Sequence, residues 1–493
     1  MFLGGLDVGT TGCKLSVYDD KGSFVANEYA AYEVSRQSGE HEIDAEEIFD
    51  AVCTVIKKVV AQYPLASISV TTFGETFVAL DENDRALLPS MLYTDPRGKE
   101  ECEKLCGVID KKTITLISGV QPHPMYSLPK IMWIKNNLPE VFNKTKRIML
   151  MQDYIVYKLS GKACIDYSLA ARTMAFDIRT RCWSDTILNA ADVDKNLLSV
   201  PVAAGNIAGS LTKEMKERLD IETDIKIING CHDQVAAAVG CGVLEKGEAV
   251  DGTGTVECIT PVFDEIPESD SLYREGYAVV PYVLENTYVC YAFSFTGGAS
   301  VKWYRDNFKK YTEYSELDRS VPKEPTGILV MPHFAGAATP YMDNGSKAAV
   351  IGLTLEHTAE DFYKAIMEGV TYEIMLNIER LENAGIVPDT LYATGGGAYS
   401  DVWLQIKADV LNRPVTSLLS KEAGTCGTCM LSAVALGIYS DLKEAKKAFV
   451  KANKTFTPDP ERARKYAKYY QAYKKIYENI RPLVDEINME EIC

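Results

Sequence analysis

No stretch of the 493-residue chain approaches the roughly 18–20 consecutive apolar residues needed to span a bilayer. The longest small apolar segment, Val235-Ala236-Ala237-Ala238-Val239, is far too short, so a membrane partner is not expected. Positive charge is outnumbered: the formal net charge is −17, which argues against a nucleic-acid or anionic-membrane surface. A nucleotide site remains open, because backbone donors and a few cations suffice to build one. There is no GxxxxGK[ST], which excludes a P-loop, and no GxGxxG opens a helix after a strand. The thirteen cysteines lack a disulfide-framework spacing, so a reducing cytoplasm is expected. The first strand is expected to begin near residue 2, so no signal peptide is expected. Cys426-Gly427-Thr428-Cys429 lies in a run of small residues continuing to Ala435, and reads as a buried helix rather than a redox pair. Cys231, His232 and Cys241 lack the paired CxxC of a zinc site.

What is present is an ordinary globular composition, 46% hydrophobic and 25% charged, in a chain too long for one core. Two domains are expected, 1–245 and 246–493, the second ending in a helical tail from about 445. The patterning predicts strands over 4–8, 14–18 and 68–72 and a helix over 45–61 opened by acids. Residues 98–220 read mostly helical, notably 128–137, 149–159 and 211–219. A buried strand over 225–228 then runs into Asn229-Gly230-Cys231-His232-Asp233-Gln234 and a small-residue helix ending near Gly240. From Glu248 the strand-turn-strand pattern starts afresh, with strands over 288–293, 328–331 and 390–394 and a helix over 359–384. Tyr466, Tyr469, Tyr470, Tyr473 and Tyr477 recur at helical spacing over 460–480, predicting a helix that packs an aromatic face on the core.

Two turns carry the chemistry. Leu6-Asp7-Val8-Gly9-Thr10-Thr11 is echoed by Asp251-Gly252-Thr253-Gly254-Thr255 about half a chain later. Glycine admits an anion close to backbone N–H groups, and threonine hydroxyls add donors. Together they suggest a duplicated fold gripping a nucleotide's phosphates from two sides. Asp7 and Asp251 stand at strand ends, where a carboxylate can orient water on Mg²⁺. Asp233, between a buried strand and a helix, reads equally as a base projecting into a crevice or as a helix N-cap.

Longer patterns add a resemblance. Met125-Tyr126-Ser127-Leu128-Pro129-Lys130-Ile131-Met132-Trp133-Ile134-Lys135-Asn136-Asn137 resembles the first signature of the FGGY carbohydrate kinases. Ala348-Ala349-Val350-Ile351-Gly352-Leu353 with Asp361-Phe362-Tyr363-Lys364-Ala365-Ile366-Met367-Glu368 resembles the second. The similarity runs on through Gly395-Gly396-Gly397-Ala398 and Trp403-Leu404-Gln405, covering nearly the whole chain. It implies an α/β fold of two actin-like, ribonuclease H-like domains with an interdomain cleft, ATP and Mg²⁺ as cofactors, and Asp233 as catalytic base. By the same resemblance Gln234 lies beside the substrate. Gly9, Thr10, Thr11, Gly254 and Thr255 line the phosphates, Gly396, Gly397 and Asp401 face the adenosine, and Asp7 (through water) and Asp233 serve the metal. Where the family often has Gly-Gly-Asp, this chain has Cys231-His232-Asp233.

The substrate is less determined. Glu75, in Thr71-Thr72-Phe73-Gly74-Glu75-Thr76, stands where xylulose kinases carry the His of Met-His-Gly and glycerol kinases have Arg-Glu, with Gly74 in place of the Arg. Fuculose kinases share Thr-Thr-Phe-Gly but continue Val-Asp. Glu75 is expected to contact the sugar, the competing reading being a strand-end surface acid. A ketopentose such as xylulose or ribulose, or a related ketohexose or deoxyketose, is the expected acceptor. A polyol kinase and a catalytically silent actin-like sugar sensor stand as alternatives, and a homodimer stays open. Sugar and ATP are the expected partners.

Overall fold

The computed structural model describes residues 1–36, 39–267, 271–420 and 422–489. The chain forms two compact units. The first comprises Met1–Leu244, Val279–Val289 and Glu422–Lys451, and the second Glu245–Ala278, Cys290–Lys421 and the chain from Ala452 on. They therefore differ from two contiguous halves, 1–245 and 246–493, because two later segments return to the first unit.

In the first unit β1 (Phe2–Val8), β2 (Gly12–Asp19), β3 (Phe24–Ala31), β4 (Leu65–Thr72), β5 (Ile207–Ser210) and β6 (Lys226–His232) form a sheet in the order β5-β6-β4-β1-β2-β3. Strands β1 to β3 make an antiparallel meander, β1, β4 and β6 run parallel, and β5 is antiparallel to β6. Strand β6 extends past residue 228 to His232. Gly230 permits this, since a Cβ there would lie 2.3 Å from the Val70 carbonyl oxygen.

The helix Ala45–Val60 starts where expected: the Asp44 side chain accepts from the backbone N–H of Glu46 and Glu47. Its Ile48, Phe49, Val52 and Ile56 pack with Leu6, Val8 and Leu15 in one buried cluster. Successive strand residues point to opposite faces, so Gly5 faces away from that cluster. There the helix Ala423–Ala435 lies so close that a Cβ on Gly5 would come within 2.5 Å of the Thr425 carbonyl oxygen. The same helix crosses the helix Asp233–Gly240 at glycine contacts, a Cβ on Gly427 falling 2.0 Å from the Ala236 carbonyl oxygen. This crossing explains the run of small residues. Cys426 and Cys429 are wholly buried in it, with the Cys426 thiol pushed up to about 12 by burial, so neither suits redox work.

The second unit repeats the plan. β7 (Glu248–Thr253), β8 (Glu257–Phe263), β9 (Thr390–Thr394), β10 (Val415–Leu418) and β11 (Ala452–Phe456) are neighbours in the order β8-β7-β9-β10-β11. Hairpin β7–β8 is antiparallel, β7, β9 and β10 are parallel, and β11 is antiparallel to β10. Strand for strand this is β2-β1-β4-β6-β5. The expected strand over 288–293 forms as Tyr288–Ser294, and the helix over 359–384 as Ala359–Asn383.

The strand expected over 328–331 forms as Leu329–Met331 and, among the described residues, pairs with Ala349–Ile351. Two local expectations change. Residues 149–150 close a short strand, Arg147–Leu150, before the helix Met151–Ser160 begins. The tyrosine stripe spans two helices, Pro460–Tyr473 and Ile476–Met489, and the tail before it contains strand β11. Tyr466, Tyr470 and Tyr473 are buried around Tyr372, and their hydroxyls donate to Glu368, Glu379 and Glu373. That face is therefore aromatic and hydrogen-bonded at once, which satisfies carboxylates that burial would otherwise leave costly.

Candidate active site

Parallel strands β1, β4 and β6 end side by side, and each delivers a carboxylate at its carboxyl end: Asp7, Glu75 and Asp233. Register fixes this. Asp7 stands opposite Thr71, and both Val8 and His232 stand opposite Thr72. The Thr71 hydroxyl donates to the Cys231 carbonyl oxygen at 2.6 Å, tying β4 to β6 just before the base candidate. In open α/β sheets the crevice beyond such strand ends is where ligands bind.

Asp233 is the first residue of its helix, with His232 as N-cap, and its Oδ1 accepts from the Gln234 backbone N–H at 2.6 Å. Its side chain keeps 39% exposure. Burial of the remainder, helped by the Asp7 and Glu75 charges, raises its pKa to about 7. His232 Nε2 lies 3.2 Å from Asp233 Oδ1. Burial, then the Arg172 charge, hold that imidazole well below its usual pKa, so it meets the carboxylate as a neutral ring. Gln234 sits half-buried beside them.

Glu75 is not a surface acid: it is 4% exposed. Its backbone is left-handed, φ 64°, a conformation costly for a side-chain-bearing residue. Two contacts hold it there. The Ser127 hydroxyl, in the helix Ser127–Asn137 of the first signature, donates to the Glu75 carbonyl oxygen at 2.6 Å. Arg172, capping the short helix Tyr167–Ala171, donates from Nε to Glu75 Oε1 at 2.6 Å and brings a second nitrogen to the same oxygen. Sequence reasoning missed Arg172. The available signal was an arginine directly after the small-residue run Ser168-Leu169-Ala170-Ala171, where a buried cation needs a carboxylate. Tyr93 was also missed. Burial, then the Glu75 and Asp233 charges, raise its phenol pKa.

Asp7, at the end of β1, has its pKa raised to about 6 by burial against the pull of Lys14, which pairs with Glu422. The adjoining turn is tight, Gly9 N–H donating to the Gly12 carbonyl oxygen at 3.0 Å. Thr10 is half-buried and Thr11 exposed. A Cβ on Gly9 would find its nearest neighbour 3.4 Å away, at Gly12 O, so the protein itself leaves that spot open.

In the second unit the turn after β7 exposes Gly254 and Thr255. Gly395 (φ 82°) and Gly397 press on Thr253, a Cβ at either coming within 2.5 Å of it, while Gly396 has nothing closer than 3.9 Å. The helix Gly298–Phe308 starts on the same turn, Gly298 N–H donating to the Gly254 carbonyl oxygen at 2.8 Å. Gly297-Gly298 was a third omission, and a Gly pair between strand and helix was its signal. Asp401 begins the helix Asp401–Leu411 and turns to the surface, 2.7 Å from Lys454 Nζ. Asp251 departs from expectation. It is wholly buried and held by Lys407 Nζ at 2.5 Å, with Glu257 2.9 Å from the same nitrogen, so it orients a lysine rather than metal-bound water.

No cluster of three or more metal-ligating side chains occurs among the described residues. Mg²⁺ does not require one, since it keeps several waters and is bound through one or two carboxylates plus substrate phosphates. Asp7 and Asp233 fit that role: both are under-solvated carboxylates with raised pKa values, whose anionic forms a cation would favour.

Each unit, with its parallel strands, hairpin and phosphate-sized turn, is half of an actin-like two-domain ATPase fold. Residues 2–240 match the N-terminal domain of the FGGY family of carbohydrate kinases, and 267–436 match its C-terminal domain. The chain belongs to the FGGY family of carbohydrate kinases, whose phosphoryl donor is ATP. It is 27% identical to the xylulose kinase of Lactococcus lactis subsp. lactis over 96% of both chains. It is 28% identical to the gluconokinase of Bacillus licheniformis over 94% of this chain and 93% of that one. The ligand-bound xylulose kinase of Lactobacillus acidophilus superposes with a TM-score of 0.90 over 99% of each chain, at 26% identity.

Proposed function

We propose that the protein transfers the γ-phosphoryl group of ATP to a hydroxyl of a small ketose, with xylulose or ribulose as leading candidates and ketohexoses or deoxyketoses next. The observation that carries this reading is Asp233 at the end of β6, a partly exposed carboxylate with a pKa near 7 beside the buried Glu75–Arg172 pair. A base of that pKa is half-ionised at neutrality and matched to taking an alcohol proton during attack. The acceptor O–H gives its proton to Asp233 as its oxygen bonds to the γ-phosphorus and the bond to the β–γ bridging oxygen breaks, releasing ADP.

Glu75 Oε1 is occupied by Arg172, which leaves Oε2 to accept from sugar hydroxyls, and Gln234 stands beside the base as a further contact. The two Gly-Thr turns and Gly396–Gly397 receive the nucleotide, with Asp401 near the adenosine. The open space at Gly9 and Gly254 supports this, for a Cβ at Gly254 meets nothing closer than 3.8 Å. Mg²⁺, held by Asp7 through water and by Asp233, would neutralise phosphate charge. No helix among the described residues is long and apolar enough to cross a membrane, and the described cysteines are free, which suits a reducing cytoplasm.

A polyol acceptor is the second reading. It is favoured by Arg172 meeting Glu75, which restores the arginine–glutamate pairing that Gly74 removes from the local sequence. Coupled ADP-release assays across pentuloses, hexuloses, deoxyketoses and polyols test both. A folded protein that binds sugar but turns over none of them would be a sensor instead.

A further inference from the structure

The buried Glu75–Arg172 pair takes no part in the proton transfer, yet it is built into the same strand ends. Glu75 is 4% exposed and Arg172 7%. Their fit depends on Gly74, where a Cβ would lie 3.1 Å from Arg172 Cγ and 3.3 Å from His232 Cδ2. The arginine stem and His232 thus both lie against Gly74 just past the end of β4, and His232 Nε2 is 3.2 Å from Asp233 Oδ1. Tyr126 covers one face of the guanidinium, its ring centre 5.2 Å from the Arg172 Cζ. This arginine is accordingly one residue from the base, and its charge is matched by Glu75.

Relatives of nearly equal identity bear the names of a neutral ketose and of an aldonate: xylulose kinase at 27% and gluconokinase at 28%. Overall similarity cannot choose between those acceptor classes; local charge can. We propose that Glu75 and Arg172 form a charge filter in the acceptor site, Glu75 cancelling Arg172 so that uncharged polyhydroxy substrates are admitted and aldonates rejected. An aldonate carboxylate would meet Glu75 and Asp233 beside a guanidinium that Glu75 already holds, and like charges in a partly desolvated site are mutually unfavourable. A neutral ketose brings only hydroxyl groups, which donate to the carboxylates without adding charge. The inference rests on the reading that these strand ends hold the acceptor.

The test measures kcat/KM at saturating ATP for a panel of neutral ketoses and polyols and for gluconate. The proteins are the wild type, Glu75→Gln, Arg172→Met and the double variant, each checked by thermal melting. The wild type should favour its best neutral sugar over gluconate at least tenfold. Glu75→Gln releases the arginine, so the ratio should move toward gluconate by about tenfold or more, the scale of one charge-assisted hydrogen bond. The double variant should lose that gain. Arg172→Met leaves Glu75 unopposed and should depress gluconate further than neutral sugars. A wild type that prefers gluconate overturns the filter, as does a folded Glu75→Gln whose ratio stays put. Should Glu75→Gln not fold, the wild-type ratio and Arg172→Met decide, and a gluconate rate that rises in Arg172→Met overturns the proposal. A folded wild type that neither binds nor turns over any of the compounds removes the acceptor-site reading and the filter with it. Turnover of neutral sugars with an unmoved ratio removes the filter alone.

Discussion

Hairpins β1–β2 and β7–β8 carry an aspartate and a Gly-Thr turn in matching places, yet their aspartates have opposite surroundings. Asp7 is half-buried, Lys14, whose charge acts on it, is paired with Glu422, and its carboxyl pKa climbs to about 6 through burial. Asp251 is wholly buried, bonded to Lys407, and joined by Glu257, whose pKa burial raises. Duplication supplied the same strand and turn twice. What differs is the third partner: the helix Asp401–Leu411 brings a lysine under one aspartate, and among the described residues no lysine is bonded to the other. On the proposed reading the first hairpin thereby keeps a carboxylate for Mg²⁺, while the second holds its own on Lys407, which is also bonded to Thr253 at 2.5 Å.

The largest effect expected separates the base from both hairpins. Asp233→Asn should lower kcat by about 10²–10⁴-fold, the usual cost of losing a general base, while nucleotide binding by calorimetry is retained. Near-wild-type turnover would remove Asp233 from that role.

Next comes a direct contrast of the two lysines. Lys407→Met strands Asp251 without a counter-charge and should destabilise the protein by about 3–5 kcal/mol in urea unfolding. Lys14→Met breaks a pair whose side chains keep 28% and 23% exposure, and should cost about 1 kcal/mol or less. Equal costs would mean that the hairpins are energetically alike.

The turns themselves should then behave alike. Neither Gly9 nor Gly254 has a positive φ, and a Cβ at each would find its nearest atom 3.4 and 3.8 Å away, so the fold accommodates Gly9→Ala or Gly254→Ala. A side chain there blocks phosphate from the backbone N–H groups. The apparent KM for ATP should rise about tenfold or more in each variant, with that for sugar little changed. A rise confined to the sugar constant would reassign the turn concerned.

The last contrast is in pH. With Asp233 near 7, kcat/KM should fall about tenfold per unit below that pH, and this dependence should vanish in Asp233→Asn. Stability runs the other way. Burial raises Asp153 to about 8 and Asp166 to about 7, so the folded first unit keeps protons that the unfolded chain releases near 4. Their contribution is complete below about pH 4 and is lost as pH rises through 7 to 8, by up to about 1.4 kcal/mol per unit per group. Denaturant melts between pH 5 and 9 should show the decline, and Asp153→Asn should flatten it.

Much of this architecture was legible without coordinates. Strand β9 lies at 390–394 as the pattern required, the helix over 45–61 is met within a residue, and the restart at Glu248 is the first residue of β7. The run ending in Asp233 showed where a strand meets a helix. These features depend on local periodicity, turn chemistry and recurrence, which one chain displays by itself. The sequence alone thus determined two copies of one sheet plan, each with a glycine turn after its first strand, and a carboxylate at the end of β6.

Only tertiary structure decided the partners. Arg172 reaches Glu75 across 97 residues and Lys407 reaches Asp251 across 156, while the helix Ala423–Ala435 returns to the first unit to cover Gly5. No local pattern encodes such pairings. A buried charge selects whichever opposite charge the packing of distant elements brings within hydrogen-bond reach, and a helix of small residues goes wherever a glycine-bearing surface lets it approach closely. Those long-range choices gave the two duplicate aspartates opposite surroundings, one of them locked to a buried lysine.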